Sequence, residues 1–446
     1  MAKSGSIATK SLWTIGTYAA SAILRFAGNI VLSRILGPEI LGVVVIAQAI
    51  RVGCDLLTDL GLEQNVVHSR HGDDERFLNT VWTMQLLRGA LVSLICLALA
   101  PILAHFYHVD TLILIAVSAA PLFNAMTSTA LFTIAKRLDV RVRNLYEISS
   151  EAVGLAINIA LAVTLRNVWA PILGILLSIA ARSAMTWFLP HPRHRFLLDR
   201  KHAPSIFHFS KWIMLASLSL YAAVYVDRLY LGRIVTLAVL GIYGQARSIG
   251  ELPNTVAGRL AFQIVFPFVA KHQDEIDPGT PARAELTRTR RHFLTLVLIG
   301  TATAMAWSDK AVLLLYGPRY AQAGWMLCLL LVGIWIAVIS SLNEAIVFGR
   351  GQPRNVGLAN AIRFFAMGAT LPIGYALCGL PGVFFALPVS EVARYLILLK
   401  AQARFRLTYL AQDAALTLAL AALFAGWIAL RLTLGLNVPW ALMRVG

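Results

Sequence analysis

Residues 323–348 read AGWMLCLLLVGIWIAVISSLNEAIVF, a run in which Glu344 is the only charge. As a helix rising about 1.5 Å per residue it is roughly 39 Å long, more than the ~30 Å hydrocarbon core of a bilayer. Working outward from it, polar breaks divide the chain into thirteen predicted spans. The first six are 12–33, 40–60, 80–104, 111–134, 147–165 and 170–189. The next six are 212–232, 238–269, 293–316, 323–348, 356–377 and 381–400, and a thirteenth covers 410–434. Composition agrees: 58% of the 446 residues are hydrophobic and 14% charged, whereas a soluble domain carries about a quarter charged residues. The chain reads as an all-α polytopic membrane protein. A soluble enzyme, a secreted disulfide scaffold and a disordered chain are excluded.

The formal net charge of +17 raises the question of nucleic acid, and the position of the basic residues answers it. One alternating set of loops holds 23 Lys and Arg residues, among them Lys3, Lys10, Arg137, Arg143, Arg195, Lys271, Arg288, Arg290, Arg350 and Arg404. The opposite loops hold seven: Arg34, Arg166, Arg233, Lys310, Arg319, Arg431 and Arg444. By the positive-inside rule the first set is cytoplasmic, and so is the N-terminus. The high charge therefore reports topology and an attraction to anionic lipid, and no nucleic-acid partner is expected. The run from Leu12 is longer than a signal-peptide core and is expected to stay as the first membrane helix. Loops are brief, so no extramembrane domain is expected to house a soluble active site.

Cys54, Cys96, Cys328 and Cys378 fall in or beside apolar runs without metal-ligand spacing. They read as packing residues. His105/His108 and His191/His194 sit at span edges without Cys or carboxylate companions, so no metal or cofactor is expected.

A shift of 199 residues brings Leu32-Ser33-Arg34-Ile35 onto Leu231-Gly232-Arg233-Ile234, and Leu41-Gly42 onto Leu240-Gly241. Ala47 and Ile50 then fall on Ala246 and Ile249. A six-span shift preserves direction, so the expectation is two six-helix bundles related by a pseudo-two-fold along the membrane normal. An extra C-terminal helix brings the expected total to 12–14. The expected division is an N-terminal bundle over 1–190, a cytoplasmic linker over 191–211, a C-terminal bundle over 212–405, and an extra helix and tail over 406–446. Two such bundles suit alternating access about a central site.

The spans also carry Arg25, Arg51, Arg88, Arg182, Arg228, Arg247, Arg259, Arg363 and Arg394, with Asp55, Asp59, Asp227, Glu251, Glu344 and Glu391. Each Arg or Asp at a helix centre costs about 2.5–3.5 kcal/mol on insertion scales, so these groups must line a wet cavity, pair, or snorkel. Helical spacing puts Thr14, Thr17, Ser21, Arg25 and Asn29 on one stripe, and Gln48, Arg51, Asp55 and Asp59 on another. Arg247 and Glu251 share a third stripe, and Arg228 ends a fourth. Arg25, Arg51 and Arg247 lie roughly 12, 16 and 14 Å below the predicted outer span ends. They are the candidate ligands for an anionic substrate, with Asn29 and Arg228 beside them; the planar fork of Arg suits phosphate. Structural pairing stands as the alternative, since Arg51/Asp55 and Arg247/Glu251 are both i,i+4. Arg88, Arg182, Arg363 and Arg394 are expected to snorkel. Asp55, Asp227 and Glu251 are candidate coupling or gating carboxylates, for Na+ or a proton. Gly250, Pro253 and Gly258 interrupt the eighth span and mark a candidate hinge.

Asp227-Arg228, Leu231-Gly232-Arg233, Leu240-Gly241-Ile242-Tyr243, Ala246, Leu252-Pro253 and Phe266-Pro267 together resemble the polysaccharide transporter family of lipid-linked oligosaccharide flippases. Leu32-Ser33-Arg34-Ile35-Leu36-Gly37-Pro38, Leu41-Gly42, Leu315-Tyr316-Gly317 and Gly349-Arg350-Gly351-Gln352 extend the resemblance almost across the chain. It implies the multidrug/oligosaccharidyl-lipid/polysaccharide exporter fold. It also implies movement of an undecaprenyl-diphosphate-linked glycan across the bacterial inner membrane for exopolysaccharide, capsule or O-antigen synthesis, with polymerase and export proteins as partners. Family members commonly have twelve or fourteen spans, against the thirteen counted here. A multidrug or organic-cation antiporter of the same superfamily is the alternative, disfavoured by the arginines. A membrane glycosyltransferase or polymerase would need a carboxylate base or a large outer loop, and neither is evident, so no enzyme is expected. Asp73-Asp74 reads as a solvated turn.

Overall fold

The structure, a computed structural model, describes residues 7–57, 61–69, 71–137, 139–190, 193–199, 217, 221, 224–272, 276 and 279–445. Among these the chain is helical and has no strand. Among the described residues seven helices are long and apolar enough to cross a membrane, or up to nine if each of two bent pairs is one span. They include Glu75–Tyr107, Val140–Leu165, Ala323–Gly349, Pro353–Cys378 and Leu410–Thr433. Spans expected at 12–33 and 40–60 are the helices Ile7–Ile35 and Pro38–Leu57. The seventh, expected at 212–232, lies partly outside the described residues; 224–234 is helical.

Three expected spans are broken. The fourth is Thr111–Val117, Ala120–Ala125 and Ala130–Lys136, bent by 51°. The ninth is Pro281–Ala306 followed by Ser308–Tyr316, bent by 76°. The eighth is Leu237–Gly250, then Leu252–Leu260, a π turn over Ala261–Val265, and Phe266–Lys271. Pro253 sits in the first turn of its short helix, where its missing N–H costs least. The expected kink is therefore a break at Gly250–Glu251 with a π turn behind it.

The chain forms two compact units. The first comprises 1–221 with 231–241, the second 222–230 with 242–446. In the first, helix Ile7–Ile35 packs along Val140–Leu165. A Cβ on Gly28 would collide with Leu155, so the absence of a side chain there lets the two helices approach closely. The linker expected at 191–211 lies mostly outside the described residues. Its part at 193–199 has no regular secondary structure, with Arg195 N–H donating to Asn79 Oδ1 at 2.9 Å and Leu197 N–H to Thr83 Oγ1 at 3.0 Å.

Also within the first unit, a Cβ on Gly42 would collide with the Leu237 carbonyl, and one on Gly241 with the Pro38 carbonyl. The 199-residue shift maps Pro38 onto Leu237 and Gly42 onto Gly241. The contact is reciprocal, each copy of the repeat meeting the other through the same atoms, as in an isologous interface.

The run 323–348 becomes the centre of the second unit. Its membrane window is 83% buried, against 11% for Pro353–Cys378, because Ala386–Ala403, Leu252–Leu260, Ser308–Tyr316 and Pro281–Ala306 all pack on it. A helix apolar all round is one surrounded by protein or lipid; this one is surrounded by protein. Leu410–Thr433 packs on Pro281–Ala306 and is held by two buried arginines. Arg431 makes two bonds to Asp309 at 2.7 and 2.8 Å. Arg290 stands 2.7 Å from Asp413 and donates to Asn343 and Gln412 at 2.9 Å. The span boundaries put Arg290 in a loop, and Arg431, inside the span expected at 410–434, is counted with the outer loops; both are buried, Arg431 at 0% and Arg290 at 1% exposed.

Candidate functional site

In the second unit, helical spacing puts Tyr243, Arg247 and Glu251 one turn apart on one face, and that face meets Asp227. Tyr243 Oη donates to Asp227 Oδ2. Arg247 Nε donates to Glu251 Oε1 at 2.8 Å and stands 3.7 Å from Asp227 Oδ2. Arg228 lies 3.6 Å from Glu251 Oε2, its guanidinium 4.9 Å above the Tyr225 ring, and its backbone N–H donates to Asp227 Oδ1 at 2.8 Å. Two carboxylates thus face two guanidiniums, and the set carries no net charge. Asp227 and Arg247 are 2% and 3% exposed. Arg247 Nη1 is buried with no hydrogen-bond partner among the described residues.

A second ionic set adjoins it. Arg363 Nε stands 2.7 Å from Glu391, Arg394 bridges Glu391 and Glu344, and Asn360 donates to Glu344 at 3.3 Å. Arg363 is also within electrostatic range of Arg247 and Asp227. Arg363 and Arg394 do not snorkel: Glu391 is fully buried and draws both inward, since an unpaired buried carboxylate would cost far more than bending a long side chain. The i,i+3 spacing of Glu391 and Arg394 was the available signal.

In the first unit, Arg25 Nη1 donates to Glu151 Oε2 at 3.4 Å; the side chains are 48% and 22% exposed. Asn29 follows one turn later on the same helix. Arg51 Nη1 donates to Asp55 Oδ2 at 3.2 Å, at about one-fifth exposure each, and Arg88 donates to the Asp55 carbonyl. Arg51 also borders a cavity of about 10 Å³ shared with Cys96, Leu114 and Ser118, large enough for about one water. Arg182 lies 5.8 Å from the Tyr146 ring centroid. Cys54 and Cys96, far apart in sequence, meet with their Sγ atoms 2.7 Å apart and form no disulfide.

Of the expected site residues, the structure gathers Asp227, Arg228, Arg247 and Glu251 into one cluster. It pairs Arg51 with Asp55, and places Arg25 against Glu151, a residue the sequence reading passed over because the partners are 126 residues apart. Gly250 and Pro253 flank the helix break, and a Cβ on Gly258 would meet open space. Asp59 lies outside the described residues. Among the described residues, no group of three or more His, Cys, Asp or Glu side chains is placed to hold a metal.

Residues 31–324 match the model of a family described as polysaccharide biosynthesis protein. The chain is 21% identical over 351 residues to the succinoglycan biosynthesis transport protein ExoT of Rhizobium meliloti (strain 1021), covering 76% of this chain and 68% of that one. Across the curated relatives it matches, the chain spans 55% to 68% of their length. Among solved structures it resembles the lipid II flippase MurJ in an inward closed conformation, with a TM-score of 0.72 and 11% identity over 97% of this chain and 95% of that one. It also resembles an inward-facing multidrug resistance MATE family transporter of the MOP superfamily, with a TM-score of 0.66 and 14% identity over 89% and 95%. At such identities these two likenesses concern fold, and the fold is the exporter fold expected from the motifs.

Proposed function

Because this chain belongs to the polysaccharide biosynthesis protein family, we propose that it is a flippase for undecaprenyl-diphosphate-linked oligosaccharide units, working by alternating access in the bacterial inner membrane. The observation that carries the reading is Arg25: a guanidinium inside a long, largely apolar helix, half exposed, 3.4 Å from the Glu151 carboxylate. A group so costly to bury is retained where an anionic ligand needs it. In this reading the diphosphate enters from the cytoplasmic side, where the N-terminus also lies. Arg25, Arg51 and Arg247 offset its desolvation, assisted by Asn29 and Arg228, and the polyprenyl tail remains in lipid. The break at Gly250–Glu251, with Pro253 and Gly258, supplies the bend that the eighth span needs to move. Asp55, Asp227 and Glu251 are the carboxylates through which Na+ or a proton would couple. Polymerase and export proteins would act on the product.

An organic-cation antiporter would call for uncompensated negative charge. Asp227 and Glu251 instead each face a guanidinium, which supports the anionic substrate. The test is a deletion strain complemented with wild type, Arg25→Ala, Arg51→Ala or Arg247→Ala, with lipid-linked glycan labelled from the outer leaflet only. Wild type restores outer-leaflet label; Arg25→Ala and Arg51→Ala insert normally, Arg247→Ala inserts in smaller amount, and all three leave the glycan inside. Full label in all three variants would remove the assignment.

A further inference from the structure

We infer that the outward face of the helix Pro281–Ala306 holds one anionic phospholipid, its phosphate seated among Arg288, Arg291 and His292 and an acyl chain lying along Leu296 and Ile299. The inference is independent of which substrate the chain moves. It starts from how this helix is turned. Leu286, Arg290, Leu294 and Val297 are buried, and Arg290 is anchored inward by Asp413, 2.7 Å away. With that side fixed, helical spacing sends residues 288, 291, 292, 295, 296 and 299 the other way, and all six are exposed.

Along this face the chemistry changes once. Arg288, Arg291 and His292 stand within about one turn of one another and border an open groove of about 630 Å³ with Ala284 and Thr287, a volume in the range of small-molecule sites. Among the described residues their side chains enter no hydrogen bond or ion pair, and the exposed Glu285, one turn before Arg288, pairs with none of them. Two like charges one turn apart repel, so an anion shared between Arg288 and Arg291 relieves a cost that no described residue offsets. Beyond them Leu296 and Ile299 are 71% and 53% exposed, in the apolar run that begins at Phe293. A free phosphate would use only the basic part of this face. A phospholipid uses both parts in this order, since the helix rises about 8 and 12 Å from Arg291 to Leu296 and Ile299. The patch belongs to the loops expected to be cytoplasmic, where anionic lipid attracts juxtamembrane arginines.

The experiment uses the full chain in detergent, titrated with phosphatidylglycerol or phosphatidylcholine, with bound lipid counted by native mass spectrometry. Wild type should retain one phosphatidylglycerol about tenfold more tightly than phosphatidylcholine. Arg288→Gln should weaken that site about fivefold and Arg288→Gln with Arg291→Gln about 25-fold, each arginine counting as one basic group beside an anionic surface. Arg354→Gln with Lys400→Gln removes two exposed charges from the helices Pro353–Cys378 and Ala386–Ala403 and should leave the site unchanged. An equal loss there would mark the effect as general charge and overturn the inference, as would equal binding of the two lipids to wild type. Displacement by millimolar inorganic phosphate would reduce the patch to a free-anion site, and displacement by equimolar farnesyl diphosphate would assign it to a prenyl diphosphate; either result overturns the resident phospholipid. The substituted side chains are exposed, so thermal unfolding in neutral lipid should match wild type. If the double variant is not monodisperse, Arg288→Gln alone carries the test.

Discussion

Arg25 and Arg247 occupy matching depths. Arg25 is ten residues from the end of its helix at Ile35, and Arg247 ten residues from the start of its own at Leu237, about 15 Å in each case. Their surroundings are opposite. The first has Glu151 at 3.4 Å and 48% exposure; the second has Glu251 at 2.8 Å, Asp227 at 3.7 Å and 4% exposure. Depth along a helix therefore does not set hydration. The number of counter-charges and the closeness of neighbouring helices do. A guanidinium in a dry, neutral cluster must part from two carboxylates before it can meet a ligand, whereas a half-exposed one already meets water.

If this contrast is right, Arg247→Ala has the largest effect on stability. It leaves Asp227 and Glu251 facing each other with Arg228 alone, and should cost about 3–5 kcal/mol, read from denaturation of the purified protein in nanodiscs. A variant that unfolds like wild type would show that the cluster is wet, and the contrast would vanish. Next comes Arg431→Ala, at about 2–3 kcal/mol by the same measurement. Asp309 keeps some access to water at 18% exposure, which moderates the loss. Gly42→Val and Gly241→Val should each cost about 1–3 kcal/mol by overpacking. Because the contact is reciprocal the two values should agree; a large inequality would break the equivalence of the repeat copies at this point. The smallest effect on stability belongs to Arg25→Ala, below about 1 kcal/mol, together with loss of outer-leaflet glycan. Equal stability losses for Arg25→Ala and Arg247→Ala would erase the difference between the two regions.

Hydropathy revealed the spans because burying or lipid-facing an apolar run depends on composition alone, and the described helices overlap the expected ranges, three of them in broken form. The ion pair Arg247–Glu251 was legible for a similar reason, since one helical turn is a local rule. Glu151 opposite Arg25, Asp227 opposite Arg247, and Cys54 beside Cys96 were not, since each depends on which helices pack together. The bend after Ala306 has no local sign either: Met305-Ala306-Trp307-Ser308 contains neither Pro nor Gly. Arg363 and Arg394 misled because long side chains near span ends usually reach for water; here Glu391 and Glu344 compete with the interface and win.

The joint at Gly42 and Gly241 is built from main chain alone, with a bare α-carbon meeting a carbonyl on each side. A catch of that kind has no charge to neutralise and no rotamer to reset before it can part. It holds by fit alone, through contacts worth about 0.1–0.2 kcal/mol apiece, so its strength lies in the closeness of two backbones and not in any side chain.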